Sequence, residues 1–286
     1  MTRLRRDASS ARDARAGRDA ASARQARKRF GQHFLAPAWA DKVVEAIAPR
    51  RDDRFLEIGP GPGVLTEKLA RRAGSVVAVE IDRDLAAALR PQLPGNVQIV
   101  EGDFLDFDLG PTLAGGPLRI AGNLPYNISS PILFKLLAAS RASANLLDAT
   151  VMLQLEVAER LAARVGTKDY GVLTIFTLAQ ASVTRLLRLP PGAFRPAPKV
   201  HSAVVRLAFK RPEVPEADMP LFEGMVRGMF TQRRKTLGNA LRPYAQAIGR
   251  DAVAALTAAG IDPVRRPETL TLADLLRLTE SLKPEP

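Results

Sequence analysis

The four residues Asn123-Leu124-Pro125-Tyr126 combine groups that can hold a flat ring carrying an exocyclic amine. They follow the apolar run 118–122, which predicts a buried strand, so they would lie at the end of that strand. The carboxamide oxygen of Asn123 and the carbonyl of Leu124 or Pro125 can each accept one amine hydrogen, while the ring of Tyr126 stacks on the base. Adenine is a base of this kind. The tetrapeptide is equally compatible with an ordinary Asn/Pro turn.

Three acidic residues close three successive predicted strands. Glu57 lies in the first, Glu80 ends the second, and Asp103 follows the third. Because the carboxyl ends of parallel strands line one crevice, we expect the three side chains to share a ligand site. Glu80 would accept hydrogen bonds from both hydroxyls of a ribose, and Asp103 from an adenine amine. Glu57 would orient the adjoining loop or the amino-acid part of the ligand. The alternative is that each is a solvated acid at a strand end.

A glycine-rich loop, residues 59–63, joins the first predicted strand to a helix. Gly59 and Gly61 let the main chain approach a ligand, and the start of the helix presents free N–H groups. The spacing Gly-Pro-Gly-Pro-Gly does not provide Gly-x-Gly-x-x-Gly, which favours S-adenosylmethionine over NAD, and the Lys-Ser/Thr of an NTPase loop is missing. Such a loop alone is weak evidence, since dinucleotide-binding folds also contain one.

Alternating strand and helix patterns predict the scaffold that positions these residues, namely a doubly wound parallel sheet. Two later segments predict further strands, the second of them an edge or antiparallel strand, and beyond Pro212 the pattern is only helical. The predicted strands are 55–58, 76–80, 97–100, 118–122, 150–155, 183–189 and 200–209, and the predicted helices are 38–48, 64–72, 83–90, 131–139, 221–230, 236–248, 251–259 and 272–282. We therefore divide the chain into residues 1–27, 28–211 and 212–286.

Composition narrows the classes of partner. The 286 residues carry a net charge of +12, which favours a polyanion: nucleic acid first, an anionic membrane surface second. Residues 1–29 hold ten Arg or Lys and three Asp, which predicts a disordered basic arm; an RNA contact, an inert extension and a transit peptide all remain open. There is no cysteine, which excludes disulfides and thiolate chemistry and fits a reducing cytoplasm. No apolar run is long enough to cross a bilayer.

Several sequence blocks, in order over residues 28–282, resemble those of the ribosomal RNA adenine N6,N6-dimethyltransferases. The bacterial small-subunit branch is the most similar, although His33 stands where that family usually has Asn. The blocks are Lys28-Arg29-Phe30-Gly31-Gln32-His33-Phe34-Leu35, Asn123-Leu124-Pro125-Tyr126-Asn127-Ile128-Ser129-Ser130, the segment 194–207 beginning Phe-Arg-Pro-Ala-Pro-Lys-Val, Gln232-Arg233-Arg234-Lys235-Thr236-Leu237, and Gly260-Ile261-Asp262-Pro263.

The resemblance implies a Rossmann-like methyltransferase domain at 28–211, with an antiparallel last strand, and a small all-α RNA-binding domain at 212–286. It implies methyl transfer from S-adenosyl-L-methionine to two adjacent adenosines near the 3′ end of 16S rRNA in the immature 30S subunit, by a cytoplasmic monomer without a metal. The implied cofactor residues are His33, Leu35, Glu57, Gly59, Gly61, Glu80, Asp103 and Asn123. The implied catalytic residues are Asn123, Leu124, Pro125, Tyr126 and Phe194, with Phe194 packing on the base. The implied RNA contacts are Lys28, Arg29, Arg195, Lys199, Arg233, Arg234 and Lys235.

Three other functions compete with this one. A related methylase would act on large-subunit rRNA and confer antibiotic resistance. A non-enzymatic assembly or transcription factor would have no need of the intact Asn123–Tyr126 block or of the acidic series. An NAD-dependent oxidoreductase is disfavoured by the glycine loop.

Overall fold

The computed structural model describes residues 32–284. The predicted arm 1–27 and the predicted RNA contacts Lys28 and Arg29 lie outside this range. The strands are β1 Phe34–Leu35, β2 Arg54–Ile58, β3 Ser75–Glu80, β4 Val97–Glu101, β5 Leu118–Asn123, β6 Leu146–Gln154, β7 Ala181–Leu189, β8 Phe194–Arg195 and β9 Ser202–Phe209. The α-helices are α1 Pro37–Ile47, α2 Val64–Ala70, α3 Arg83–Leu89, α4 Gly110–Ala114, α5 Ser129–Ala142, α6 Leu155–Leu161, α7 Val172–Leu178, α8 Met219–Thr231, α9 Leu237–Ala247, α10 Ala252–Ala258 and α11 Leu272–Leu282.

A seven-stranded sheet in the order β4-β3-β2-β5-β6-β9-β7 forms the centre of the molecule. The first five strands are parallel, and β9 is antiparallel to both of its neighbours. The predicted doubly wound sheet with an antiparallel last strand is therefore confirmed. The last strand does not lie at the edge, however, because β7 takes that position and β9 is inserted between β6 and β7.

Sequence patterns missed several short elements. Helices α4, α6 and α7, of five to seven residues each, were not predicted. Strand β6 begins at Leu146 rather than at residue 150 and ends where α6 begins. A second sheet pairs β1 with β8, with Leu35 opposite Phe194. Two residues per strand leave no alternation to detect, yet this small sheet covers the carboxyl end of the large one.

The helices after residue 212 share a hydrophobic core with the α/β part of the chain. Phe222 and Met229 of α8 belong to the same buried cluster as Leu137, Tyr170 and Phe176. The hydroxyl of Tyr170 donates a hydrogen bond of 2.8 Å to the carbonyl oxygen of Leu270. The two parts are thus packed together through apolar side chains. Within residues 32–284, no helix is both long and apolar enough to span a membrane.

Candidate active site

The carboxyl ends of the parallel strands open into a cavity of about 240 Å³. Glu80 at the end of β3, Asp103 after β4 and Asn123 at the end of β5 all contribute to its wall. Of the three acids expected to share one crevice, Glu80 and Asp103 line this cavity and Glu57 does not. The remaining lining residues are Gln32, His33, Phe34, Gly59, Gly61, Ile81, Leu124, Pro125, Tyr126, Asn127 and Ile128.

Asn123 has a fixed orientation and an unpaired acceptor. Its Nδ2 donates a hydrogen bond of 2.6 Å to the main-chain carbonyl oxygen of His33. Because a carbonyl oxygen only accepts, the Nδ2 and Oδ1 positions cannot be exchanged without losing this bond. The Oδ1 atom is buried and has no hydrogen-bond partner among the described residues. A buried acceptor without a partner costs free energy, so its place at a cavity wall is the arrangement expected of a ligand contact.

Residues 125–128 form the turn that the sequence also allowed. The N–H of Ile128 donates to the carbonyl oxygen of Pro125 at 3.2 Å, and the N–H of Leu124 donates to Met152 at 3.2 Å. Leu124 is buried, so its side chain serves the core while its main chain lines the cavity. The turn and the candidate site are therefore one structure rather than alternatives.

Tyr126 is held by contacts at its hydroxyl and at its ring. The hydroxyl lies 2.6 Å from Oγ of Ser202, and the ring stacks on the imidazole of His33 with 5.3 Å between centroids and 29° between planes. Burial raises the pKa of Tyr126, and the hydrogen bond with Ser202 works in the opposite direction. The phenol therefore stays protonated and neutral at physiological pH.

Glu80 ties the glycine loop to the end of β3. Its two carboxylate oxygens accept hydrogen bonds of 2.9 Å from the N–H groups of Gly61 and Asp82. Gly61 has φ +56°, and a Cβ there would lie 2.9 Å from the ring of Phe34, so a side chain would collide. Burial raises the pKa of Glu80, while the two N–H donors oppose this rise. Each oxygen keeps a lone pair for a ligand hydroxyl.

Asp103 follows β4 and lines the main cavity. Its Oδ1 accepts a hydrogen bond of 2.8 Å from the N–H of Leu105, which fixes the carboxylate at the cavity wall. A carboxylate held in this way can accept a hydrogen bond from an amine.

Glu57 and Leu35 line a second, smaller cavity of about 30 Å³ that Gly59 and Asn123 also contact. Glu57 is only 1% exposed, and its Oε2 has no hydrogen-bond partner among the described residues. Burial raises the pKa of Glu57 to about 8; the neighbouring Thr66 hydroxyl lowers it and the charge of Glu80 raises it further. Glu57 is therefore mostly protonated at neutral pH in the ligand-free protein. Glu57 and Leu35 are not among the residues that line the main cavity, where the other expected cofactor residues lie.

Phe194 does not occupy the place that the sequence suggested. The ring is fully buried in the core beneath β1, and Phe194 is not among the residues that line the 240 Å³ cavity. The expectation that it packs on a base is not met, because the pairing of Phe194 with Leu35 in the small sheet places both residues in the core.

The cations expected to contact RNA fall into two groups. Arg195, Lys199, Arg234 and Lys235 are exposed. Arg233 instead donates to the main-chain carbonyl oxygens of Thr167, at 2.9 Å, and Lys168, and its Nε lies 3.8 Å from Glu268. The Arg233 guanidinium thus joins the helical region to the loop before α7, and a contact of this residue with RNA stays a prediction.

Several residues of the site were missed by sequence reasoning. Ser202 lies inside the 194–207 block, but nothing in its type or spacing predicts a bond to Tyr126. Ile81 lines the cavity although it is 40% exposed. Its position directly after Glu80 was the one feature of the sequence that could have indicated this. Gln32 and Asn127 also line the cavity, each next to a residue predicted to belong to the site, His33 and Tyr126. Among residues 32–284, no cluster of three metal-ligating side chains is present.

Comparison with protein families gives one match, to ribosomal RNA adenine dimethylase, over residues 23–283. The chain is 46% identical over 258 residues to ribosomal RNA small subunit methyltransferase A of Aromatoleum aromaticum, covering 89% of this chain and 93% of that protein. It is 42% identical over 266 residues to the protein of the same name from Geobacter metallireducens, covering 90% and 96%.

Solved structures of two methyltransferases have the same fold. A dimethyladenosine transferase from Plasmodium falciparum superposes with a TM-score of 0.69 and 27% identity, covering 86% of this chain and 96% of that one. The 23S rRNA methyltransferase ErmE superposes with a TM-score of 0.63 and 32% identity, covering 87% and 99%. These likenesses confirm the Rossmann-like methyltransferase fold with a helical C-terminal region.

Proposed function

The chain belongs to the ribosomal RNA adenine dimethylase family. We propose that it transfers methyl groups from S-adenosylmethionine to N6 of two adjacent adenosines near the 3′ end of 16S rRNA. The observation that carries the proposal is the buried, unpaired Oδ1 of Asn123 at the cavity wall. An acceptor in this place suits an adenine amine. The substrate would be the immature 30S subunit, and the enzyme would act as a cytoplasmic monomer.

The residues of the main cavity fit a nucleoside-bearing cofactor. The buried carboxylate of Glu80 has lone pairs for ribose hydroxyls, and Asp103 can accept from an adenine amine. Gly61 has no Cβ to block the approach of a ligand to the loop. Bound S-adenosylmethionine would supply an electrophilic methyl group on a sulfonium.

Asn123 and Tyr126 would hold the target base for attack on that methyl group. The lone pair of the adenine amine is delocalised into the ring, so the nitrogen is a poor nucleophile. Oδ1 of Asn123 and the carbonyl oxygen of Leu124 or Pro125 would accept the two amine hydrogens and favour a more tetrahedral nitrogen. Orientation and electrostatics would then provide most of the rate enhancement.

No strong base is needed, because methylation makes the nitrogen cationic and acidic, and the proton leaves afterwards to water. The adenine must be unstacked from its RNA to reach Tyr126. In the second round only one N–H remains, so Asn123 or the main-chain carbonyl loses its donor while the pocket accommodates a methyl group.

The test is incubation of the protein with labelled S-adenosylmethionine and 30S particles that lack the modification, followed by identification of the labelled nucleoside. We expect N6,N6-dimethyladenosine at two adjacent positions of 16S rRNA. Particles in which both adenosines are already dimethylated are the matched control and should take up no label. Absence of label in the unmodified particles would contradict the proposal.

One observation favours a second candidate, namely the likeness to the 23S rRNA methyltransferase ErmE over 87% of the chain. A parallel incubation with unmodified 50S particles distinguishes the two candidate functions. Label in 23S rRNA and none in 16S rRNA would establish the second candidate instead.

A further inference from the structure

His33 contacts three parts of the site at once. Its main-chain carbonyl oxygen accepts from Nδ2 of Asn123 at 2.6 Å, and its imidazole stacks on the ring of Tyr126. Its Nδ1 lies 2.7 Å from the carbonyl oxygen of Pro196. Because that oxygen only accepts, Nδ1 carries a proton and donates the bond. The side chain thus links the segment before β1 to Tyr126 and to the loop after β8.

These contacts place the imidazole in the base-holding part of the site. With Nδ1 engaged by Pro196 and one ring face against Tyr126, only Nε2 remains for another partner. The two rings lie 5.3 Å apart at an angle of 29°, which is contact distance for an aromatic pair. A tyrosine held at both its ring and its hydroxyl loses less rotational freedom when a base stacks on it.

We propose that His33 is a positioning residue for the target base, acting through Tyr126 and through the main-chain carbonyl that orients Asn123. This inference rests on the proposed function, because it takes Tyr126 as the surface on which the target adenine stacks. The stack with Tyr126 orients the ring, and the bond to Pro196 anchors residue 33, so that its carbonyl stays in place for Nδ2 of Asn123.

Three variants separate the two side-chain contacts. His33→Phe keeps a ring on Tyr126 and loses the donor to Pro196. His33→Asn keeps a donor of similar reach and loses the ring. His33→Ala loses both. His201→Ala, at the other histidine of the chain, whose side chain is exposed, is the matched control.

The measurements are the single-turnover rate of methyl transfer to 30S particles at saturating S-adenosylmethionine and, separately, the dissociation constant of the cofactor by calorimetry. One aromatic pair or one hydrogen bond corresponds to a rate change of about fivefold, so we expect about fivefold losses for His33→Phe and His33→Asn. His33→Ala should lose at least about tenfold, with a cofactor dissociation constant within about threefold of the wild type. His201→Ala should match the wild type in both.

A double-mutant cycle measures the coupling between His33 and Tyr126, which a general loss of structure would not change. If the ring acts through Tyr126, His33→Asn should have less than about a twofold effect in a Tyr126→Ala background, since the stacking partner is gone. An equal loss in both backgrounds would overturn the inference. So would a His33→Ala protein that transfers methyl groups at the wild-type rate once the cofactor is saturating but binds the cofactor more than tenfold more weakly. If the proposed function itself fails, the wild-type protein labels no adenosine, a result distinct from any of these.

Discussion

At the scale of single residues, the site depends on polar groups whose hydrogen-bonding capacity is only partly used. The Nδ2 group of Asn123 donates to His33, and its Oδ1 atom has no partner among the described residues. Each carboxylate oxygen of Glu80 accepts one hydrogen bond, from Gly61 and from Asp82. Glu57 is buried with an unpaired oxygen and is kept protonated by that burial. Each group carries a cost in the ligand-free protein that a bound ligand can offset.

Replacing Asn123 by Ala should lower the single-turnover rate of methyl transfer by about 100-fold or more, the loss typical of removing one preorganised polar group from a reaction centre. Binding of S-adenosylmethionine should stay within about tenfold, since Glu80 and Asp103 remain. The rate is measured with labelled cofactor on 30S particles, and the affinity by calorimetry. Near-normal turnover of Asn123→Ala would remove this residue from the catalytic role.

Glu57 should make the ligand-free protein less stable as pH rises. Its pKa is raised from 4.5 to about 8 in the folded state, so the folded protein keeps a proton that the unfolded chain releases. The stability is full below the unfolded pKa and falls between about pH 5 and pH 8, by at most about 1.4 kcal/mol per pH unit. Glu57→Gln is neutral at every pH and should flatten this slope in urea unfolding. Parallel pH profiles for the two proteins would contradict the assignment.

At the scale of elements, loops are held in place by residues distant in sequence. The two-residue pair of β1 and β8 brings the segment around His33 over the carboxyl ends of the large sheet. Arg233 joins the helical region to the α/β region, because its guanidinium binds the carbonyl groups of Thr167 and Lys168. Its neighbours Arg234 and Lys235 are exposed, so three adjacent cations have different roles.

These roles predict different effects of single alanine substitutions. Arg233→Ala should lower the free energy of unfolding by about 1–3 kcal/mol, because it leaves two carbonyl groups without a charged donor. Arg234→Ala and Lys235→Ala should leave unfolding unchanged and weaken RNA binding, each reducing the slope of log affinity against log salt by about one. Thermal unfolding measures the effect on stability, and binding to 30S particles at several salt concentrations measures the effect on RNA affinity. An unfolding midpoint for Arg233→Ala equal to that of Arg234→Ala would contradict this division.

At the scale of the whole molecule, the helical region after residue 212 completes a core rather than standing apart. Leu137, Tyr170 and Phe176 of the α/β part are buried in one cluster with Phe222 and Met229. Burial of apolar area is the main stabilising contribution to folding, so each part stabilises the other. The shared core also fixes where the exposed cations of the helical region lie relative to the cavity.

A chain that ends at residue 211 should therefore fold poorly, although the full set of strands is present. Removal of the helices exposes the aromatic surface around Tyr170 and Phe176, which favours aggregation. The full-length chain is the reference, and gel filtration with thermal unfolding is the measurement. A monomeric truncated protein that unfolds cooperatively near the midpoint of the full chain would show that the α/β part is independent.

Local patterns predicted the doubly wound sheet and the crevice at its carboxyl ends and, together with the family resemblance, most of the residues that line it. Those features follow from patterns within a few residues of one another and from the rule that parallel strand ends face the same side. Glu80, Asp103 and the Asn123–Tyr126 block could therefore be placed at this crevice before any contact was known. The small β1–β8 sheet, the burial of Phe194 and the separate cavity beside Glu57 could not.

Contacts between residues far apart in the chain could be identified only from the folded structure. The bond from Asn123 to His33 joins residues 90 positions apart, and the bond from His33 to Pro196 joins residues 163 positions apart. Arg233 belongs to a run of three cations, which is typical of a phosphate contact. In the structure it binds main-chain carbonyls of a loop about 65 positions away. Local sequence patterns report which face of an element is apolar, but the partner of a polar side chain depends on how distant segments pack, and that is decided by the whole core.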